Sequence, residues 1–114
     1  MLSHGRSFFD PDQSIRAEGL EKLWDAWERL KTLLPGDKET SITKLFDQAV
    51  PEPDLRERVE QEANALTKIG NDFMIRHTET TQTPIQKSAH IDYLFHRLFA
   101  LMWMILKSRG AVGT

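Results

Sequence analysis

The sequence predicts an all-α domain, an antiparallel four-helix bundle with one short extra helix allowed for, and three observations support this. Apolar residues recur at three- and four-residue steps in four separate segments, as they do in helices that bury one face. Residues that start or stop helices bound these segments. No segment alternates apolar and polar residues in the manner of a half-buried strand. The length of 114 residues suits one domain with its own core.

The first helix begins at a strong start signal. Asp10 suits the N-cap, Pro11 the first helical position, and Gln13 the capping-box position, where a side chain reaches back to the cap. Pro35-Gly36 is expected to end the helix. The predicted inner stripe consists of Leu20, Leu23, Trp24, Trp27, Leu30 and Leu34.

The second helix is expected to be short, from about residue 41 to residue 50, and Pro51 and Pro53 separate it from the third. Four apolar residues at helical spacing predict its inner face: Ile42, Leu45, Phe46 and Ala49.

The third helix is predicted to start near Pro53-Asp54. Its inner stripe is predicted to consist of Leu55, Val59, Ala63, Leu66, Ile69 or Gly70, and Phe73. If this helix continues at about 100° per residue, His77 falls on the same stripe with Arg76 beside it. Asn71 then lies well away from His77, unless the helix distorts near Gly70.

The fourth helix is predicted over about residues 84–108, capped by Thr83-Pro84 and ended by Gly110. It is apolar on nearly all sides between residues 94 and 106, and a helix of this kind is buried all round. In so small a domain, full burial needs a second chain, so we expect a homodimer. The predicted core side comprises Leu94, Leu98, Leu101, Met102 and Ile105, and the side that needs another cover comprises Phe99, Trp103 and Leu106.

Composition excludes several classes of protein. A formal net charge of −2 argues against a chain that coats nucleic acid, which requires a clustered basic surface. The absence of cysteine excludes disulfides, a thiolate nucleophile and a cysteine zinc site, and fits a cytoplasmic location. The longest apolar run, Leu98 to Leu106, is too short for a membrane span of about 20 residues. We expect residues 1–9 to form a flexible lead-in and residues 10–110 to form the domain.

The segment most suggestive of chemistry is Arg76-His77, with Glu79 close behind. Histidine titrates near neutral pH and suits general acid or base work, and arginine binds phosphate. The alternative is a helix end that carries cations because they favour the helix dipole.

Two other groups are better explained by structure than by chemistry. His90, Asp92 and His96 could bind a metal only if all three converged, and His90 points away from the other two on a helix. We therefore predict no metal and no cofactor. Trp24 and Trp27 could stack on bases, but their place in the first inner stripe predicts core residues.

Three segments, taken in order, resemble a known family. They are residues 23–32, LWDAWERLKT; residues 71–79, NDFMIRHTE; and residues 91–99, IDYLFHRLF. Together they resemble the C-terminal HEPN-type helical domain of bacterial abortive-infection (AbiJ-like) proteins, over about residues 10–108.

The resemblance implies a helical bundle that pairs into a dimer and cleaves RNA without a metal ion, in phage defence or as a toxin. His77 matches the histidine of the family motif and is implied to act as general base or acid. Arg76 is implied to stabilise charge on the phosphate, with Asn71 orienting it or binding a ribose. The resemblance also implies RNA as a partner, together with an antitoxin or an additional N-terminal domain.

The sequence departs from the family motif at one position. The family motif has an arginine, then four to six residues, then the histidine, and Gly70 or Asn71 stands where the arginine is expected. Arg76 can supply the positive charge instead. The departure leaves open a catalytically inactive dimerisation or nucleotide- or RNA-binding module.

Overall fold

The computed structural model describes residues 11–73, 85 and 87–110 of the chain, which form four helices. These are α1 (Pro11–Leu30), α2 (Lys38–Ala49), α3 (Pro53–Asp72) and α4 (Ser88–Ser108). The predicted all-α class with four helices is confirmed. Helix α4 packs against α1 and α2, and buried residues from all four helices form one apolar core.

Helix α1 starts at Pro11 as predicted but ends at Leu30, before Pro35. The backbone N–H groups of Thr32 and Leu33 donate to carbonyls three residues earlier, which closes the helix with a tighter turn. The predicted inner stripe is confirmed: Leu20, Trp24, Trp27 and Leu30 are buried, and Leu23 and Leu34 pack partly against the core.

Helix α2 begins at Lys38, earlier than predicted, because Asp37 caps it. The Asp37 carboxylate accepts the backbone N–H of Thr40 at 2.8 Å, and this hydrogen bond lowers the pKa of the Asp37 carboxyl. One turn further on, the buried Ser41 hydroxyl accepts the backbone N–H of Leu34 at 3.0 Å. This bond ties the α1–α2 connection to the core. Leu45 and Phe46 are buried as predicted.

Helix α3 begins at Pro53 as predicted and buries Ala63, Leu66 and Gly70. The predicted inner stripe is wrong at its two ends, because Leu55 is 54% exposed and Phe73 is 38% exposed. Only the middle of α3 therefore faces the core.

Helix α4 begins at Ser88 rather than near residue 84. The predicted cap, Thr83-Pro84, lies outside the described residues. Gly110 ends the helix region as predicted, with a φ of 75° and its N–H donating to the Lys107 carbonyl at 2.9 Å. Every residue predicted for the core side is buried, and Ile91 joins them: Leu94, Leu98, Leu101, Met102 and Ile105.

Ion pairs fix the helices to one another at the edge of the core. Both the Nε and an Nη of Arg97 on α4 donate to the carboxylate of Glu62 on α3, at 2.9 and 2.6 Å. These hydrogen bonds are the main reason that the pKa of Glu62 is lowered and that of Arg97 raised. Arg16 on α1 donates to Asp92 on α4 at 2.8 Å. Each of these bonds joins a helix to α4, which is the central element of the domain.

Candidate functional site

The end of α3 carries the one predicted catalytic residue that the structure places. Asn71 is exposed in the last turn of the helix. Arg76, His77 and Glu79 lie outside the described residues. Helix α3 ends at Asp72, and Phe73 is extended with φ −116° and ψ 158°. The condition for placing His77 on the inner stripe, an unbroken continuation of α3, is therefore not met.

A close helix contact explains why glycine stands at one of the two positions where the family motif has arginine. Gly70 faces the indole of Trp24, and a Cβ at position 70 would lie 2.2 Å from Trp24 Nε1 and 2.4 Å from Cε2. Such distances are far inside van der Waals contact. Trp24 is itself only 2% exposed, so it has little room to move aside. No side chain fits at position 70 in this packing, and an arginine there would disrupt it.

The charged groups at the same end of α3 are those of an ordinary helix surface. Lys68 pairs with Asp72 at 3.3 Å across one turn, and both side chains are at least half exposed. Asp72 is thus held along the helix by Lys68. An exposed pair of this kind contributes little to stability.

The other groups weighed from the sequence have structural roles. Trp24 and Trp27 are each 2% exposed, which confirms them as core residues. Asp92 pairs with Arg16, and His90 and His96 are exposed. Within residues 11–73 and 87–110, no group of three histidine or acidic side chains is placed to hold a metal ion.

A cleft of about 500 Å³ lies between the end of α1, α2 and α3. Its charged lining consists of two lysines, Lys31 and Lys38, and two glutamates, Glu39 and Glu60. The matched charges do not give the concentrated positive potential that an RNA phosphate requires.

The buried lysine of this cleft is already paired. Lys31 is 4% exposed, and its Nζ lies 2.8 Å from the Glu28 carboxylate and 5.3 Å from the centre of the Trp27 ring. Burial lowers the pKa of Lys31, and Glu28 offsets part of that effect. Burial acts to raise the pKa of Glu28, but Lys31 and Lys38 outweigh it, so that pKa is lowered. We interpret Lys31 as a structural cation at the end of α1.

Helix α4 carries an apolar surface that the described residues leave partly exposed. Phe99 is 49% exposed and Trp103 is 43% exposed, as expected for residues that need a second cover. Leu106, which is predicted to need the same cover, instead packs partly against the core. The Phe99 ring stacks on Phe95 with centroids 6.2 Å apart. We define the outer face of α4 as Asp92, His96, Phe99, Ala100, Trp103 and Lys107.

Comparison of the chain with models of protein families, with curated proteins and with solved structures finds no match. The resemblance to HEPN-type domains therefore rests on the three sequence segments alone. In the part of the chain that the structure describes, no helix is both long and apolar enough to cross a membrane.

Proposed function

We propose that this chain is a HEPN-type helical domain that forms a homodimer and cleaves RNA without a metal ion, in a phage-defence or toxin setting. The observation that carries the proposal is the end of α3. The helix stops at Asp72, and Asn71, the one proposed site residue that the structure describes, is exposed in its last turn. An exposed Asn71 can contact an RNA strand in solution.

The proposed reaction needs only groups that this segment contains. The 2′-hydroxyl oxygen of a ribose attacks the adjacent phosphorus, a cyclic phosphate forms, and the 5′-oxygen of the next nucleotide leaves. His77 takes the proton from the hydroxyl or gives one to the leaving oxygen, and a solvent water makes the other proton transfer. Arg76 holds the phosphate oxygens through a bidentate contact, and Asn71 orients the phosphate or binds a ribose. Two copies in a dimer bring two such sites together and double the local positive charge, which offsets the overall acidity of the chain at that place.

A second candidate is a non-catalytic dimerisation or RNA-binding module of the same family. The contact between Gly70 and Trp24 favours it, because this packing excludes an arginine at one of the two expected positions. Asn71, at the other position, carries no charge. In this alternative Arg76 binds RNA or a nucleotide and no bond is broken.

Replacement of His77 separates the two candidates. For the nuclease, we expect His77→Ala to abolish cleavage of single-stranded RNA and to leave the helical circular dichroism unchanged. His90→Ala is the matched control, because His90 is an exposed histidine on α4 that is not part of the proposed site. Wild-type cleavage should survive EDTA, and a DNA strand of the same sequence should stay intact for lack of the 2′-hydroxyl.

Arg76→Lys tests the role of the guanidinium. Lysine keeps the charge but cannot make the bidentate contact. RNA affinity or cleavage should therefore fall much more than thermal stability. If wild type binds RNA without cleaving it, the non-catalytic module is the better account. If wild type neither binds nor cleaves RNA, or if Arg76→Lys lowers stability with RNA affinity unchanged, the RNA function is wrong.

A further inference from the structure

The outer face of α4 is symmetric in the placement of its side chains about its centre. Let the centre of the face be the point midway between Phe99 and Ala100, and draw a line along the helix surface through that point. At about 100° per residue, His96 and Trp103 lie within about 10° of this line, one on each side of the centre. Asp92 and Lys107 lie within about 30° of that line, equally far from the midpoint. The face therefore pairs an acidic end with a basic end around its centre.

All members of this face are accessible for a contact. Phe99 and Trp103 are 49% and 43% exposed, and the Asp92 side chain is 44% exposed. His96, Ala100 and Lys107 are exposed as well. The face is about 22 Å long from Asp92 to Lys107, at about 1.5 Å per residue. It has the length, the central aromatic anchors and the charged ends of a protein interface.

We propose that the outer face of α4 docks antiparallel on the same face of a second copy, with the two-fold axis passing between Phe99 and Ala100. The inference rests on the homodimer of the proposed function and adds its surface and register. In this arrangement the ring of His96 lies opposite Trp103 of the partner subunit. Phe99 meets Phe99 of the partner on one side of the axis, and Ala100 meets Ala100 of the partner on the other.

Charge complementarity selects a second copy as the occupant. The two-fold axis sets Asp92 opposite Lys107 of the partner subunit, and the same pair recurs at the other end. A parallel pairing would instead place like charges together, which is unfavourable. Asp92 already accepts a hydrogen bond from Arg16 of its own chain. A carboxylate accepts several hydrogen bonds, so Asp92 can also accept one from Lys107 of the partner subunit. The small side chain of Ala100 at the centre lets the two helices approach closely.

A single cysteine reports this register, because the chain contains no other. With helix axes about 8–10 Å apart, the two Cα atoms of residue 100 come within about 6 Å, which suits a disulfide. Ala100→Cys should therefore give a covalent dimer on oxidation. Tyr93→Cys is the matched control, since Tyr93 is 60% exposed on the same helix. Its two copies would lie about 20 Å apart along the helix axis and should not cross-link.

Charge reversal gives a second, independent measurement. Asp92→Lys and Lys107→Asp should each weaken the dimer about tenfold, through two lost pairs and two new repulsions. The double variant should recover most of the affinity. The dimer dissociation constants of the single and double variants are measured by sedimentation equilibrium. This measurement does not depend on the folding of a cysteine variant.

The outcomes distinguish this inference from the proposed function. A wild-type dimer whose Ala100→Cys variant does not cross-link, or whose charge reversals do not compensate, overturns the register and leaves the homodimer standing. A wild-type monomer at high micromolar concentration overturns both the register and the homodimer. RNA cleavage measured on the same preparations tests the catalytic proposal separately.

Discussion

The close approach of α3 to Trp24 predicts that one glycine-to-alanine change destabilises the domain while another stabilises it. Inside a helix, alanine is normally better than glycine by up to about 1 kcal/mol, because glycine loses more backbone entropy on folding. At position 70 the new Cβ would lie 2.2 to 2.6 Å from three atoms of the Trp24 indole. The indole or the helix must move by about 1 Å to restore normal contact. Forced movement of this kind in a packed core costs about 1–3 kcal/mol.

The matched control is Gly19→Ala in the interior of α1. A Cβ at position 19 meets its nearest neighbour, Phe95, at 4.0 Å, which is ordinary contact. The helix preference then acts alone and should add about 0.5–1 kcal/mol to the free energy of unfolding. The two substitutions are chemically identical, so a difference in sign must come from the packing.

Thermal unfolding followed by circular dichroism measures both effects. For a domain of this size, 1 kcal/mol corresponds to about 4 °C in Tm. Gly70→Ala should lower Tm by about 4–8 °C and Gly19→Ala should raise it by about 2–4 °C, at equal protomer concentration because dimer formation also shifts Tm. A Gly70→Ala protein that is as stable as wild type would refute the packing of α3 on Trp24. It would also remove the steric reason for the missing arginine.

Three further predictions concern the core and its edge. Glu62→Gln should cost about 1 kcal/mol at pH 7 by weakening the bidentate contact with Arg97, a modest value because both side chains are partly exposed. The pKa of Glu62 is lowered in the folded protein, so its stabilisation is present above the ordinary value of 4.5 and is lost as the pH falls through the folded value; in urea unfolding, the difference between Glu62→Gln and wild type should shrink as the pH is lowered below 4.5. Leu98→Ala should cost about 2–5 kcal/mol in urea unfolding because Leu98 is fully buried, and a loss below 1 kcal/mol would contradict its place at the centre of the core. Ser41→Ala should cost about 1–2 kcal/mol, since the N–H of Leu34 loses its acceptor, and faster amide exchange at Leu34 would identify the cause.

Much of the fold was predictable because helix patterns are local. The spacing of apolar residues determined which side of each helix faces inward, and Leu94, Leu98 and Ile105 were correctly assigned to the core. Helix ends were less predictable, since several residues can stop a helix. Asp37 provides a side-chain cap that starts α2 early, and this short-range signal could have been read from the sequence.

The candidate site was predictable only as a set of residue types. Arg76 and His77 suggest a site because arginine binds phosphate and histidine transfers protons. Their positions relative to Asn71 depend on the path of the chain after α3. An ideal helix would have carried the stripe onward, but Phe73 is extended and breaks that geometry. A periodic pattern cannot foresee such a break, because the apolar residue at position 73 fits either conformation.

The sequence by itself determined the four helices of the described residues and the faces that they bury, and it predicts that part of the apolar surface of α4 needs a second cover. These properties follow from residue spacing and need no knowledge of distant segments. Only the tertiary structure decided that Gly70 lies against Trp24, that Lys31 is buried beside Glu28, and that Phe99 and Trp103 on the outer face of α4 are exposed. The reason is physical: the distance between two helices depends on the volumes of side chains brought together from far apart in the chain, and no local pattern contains that information.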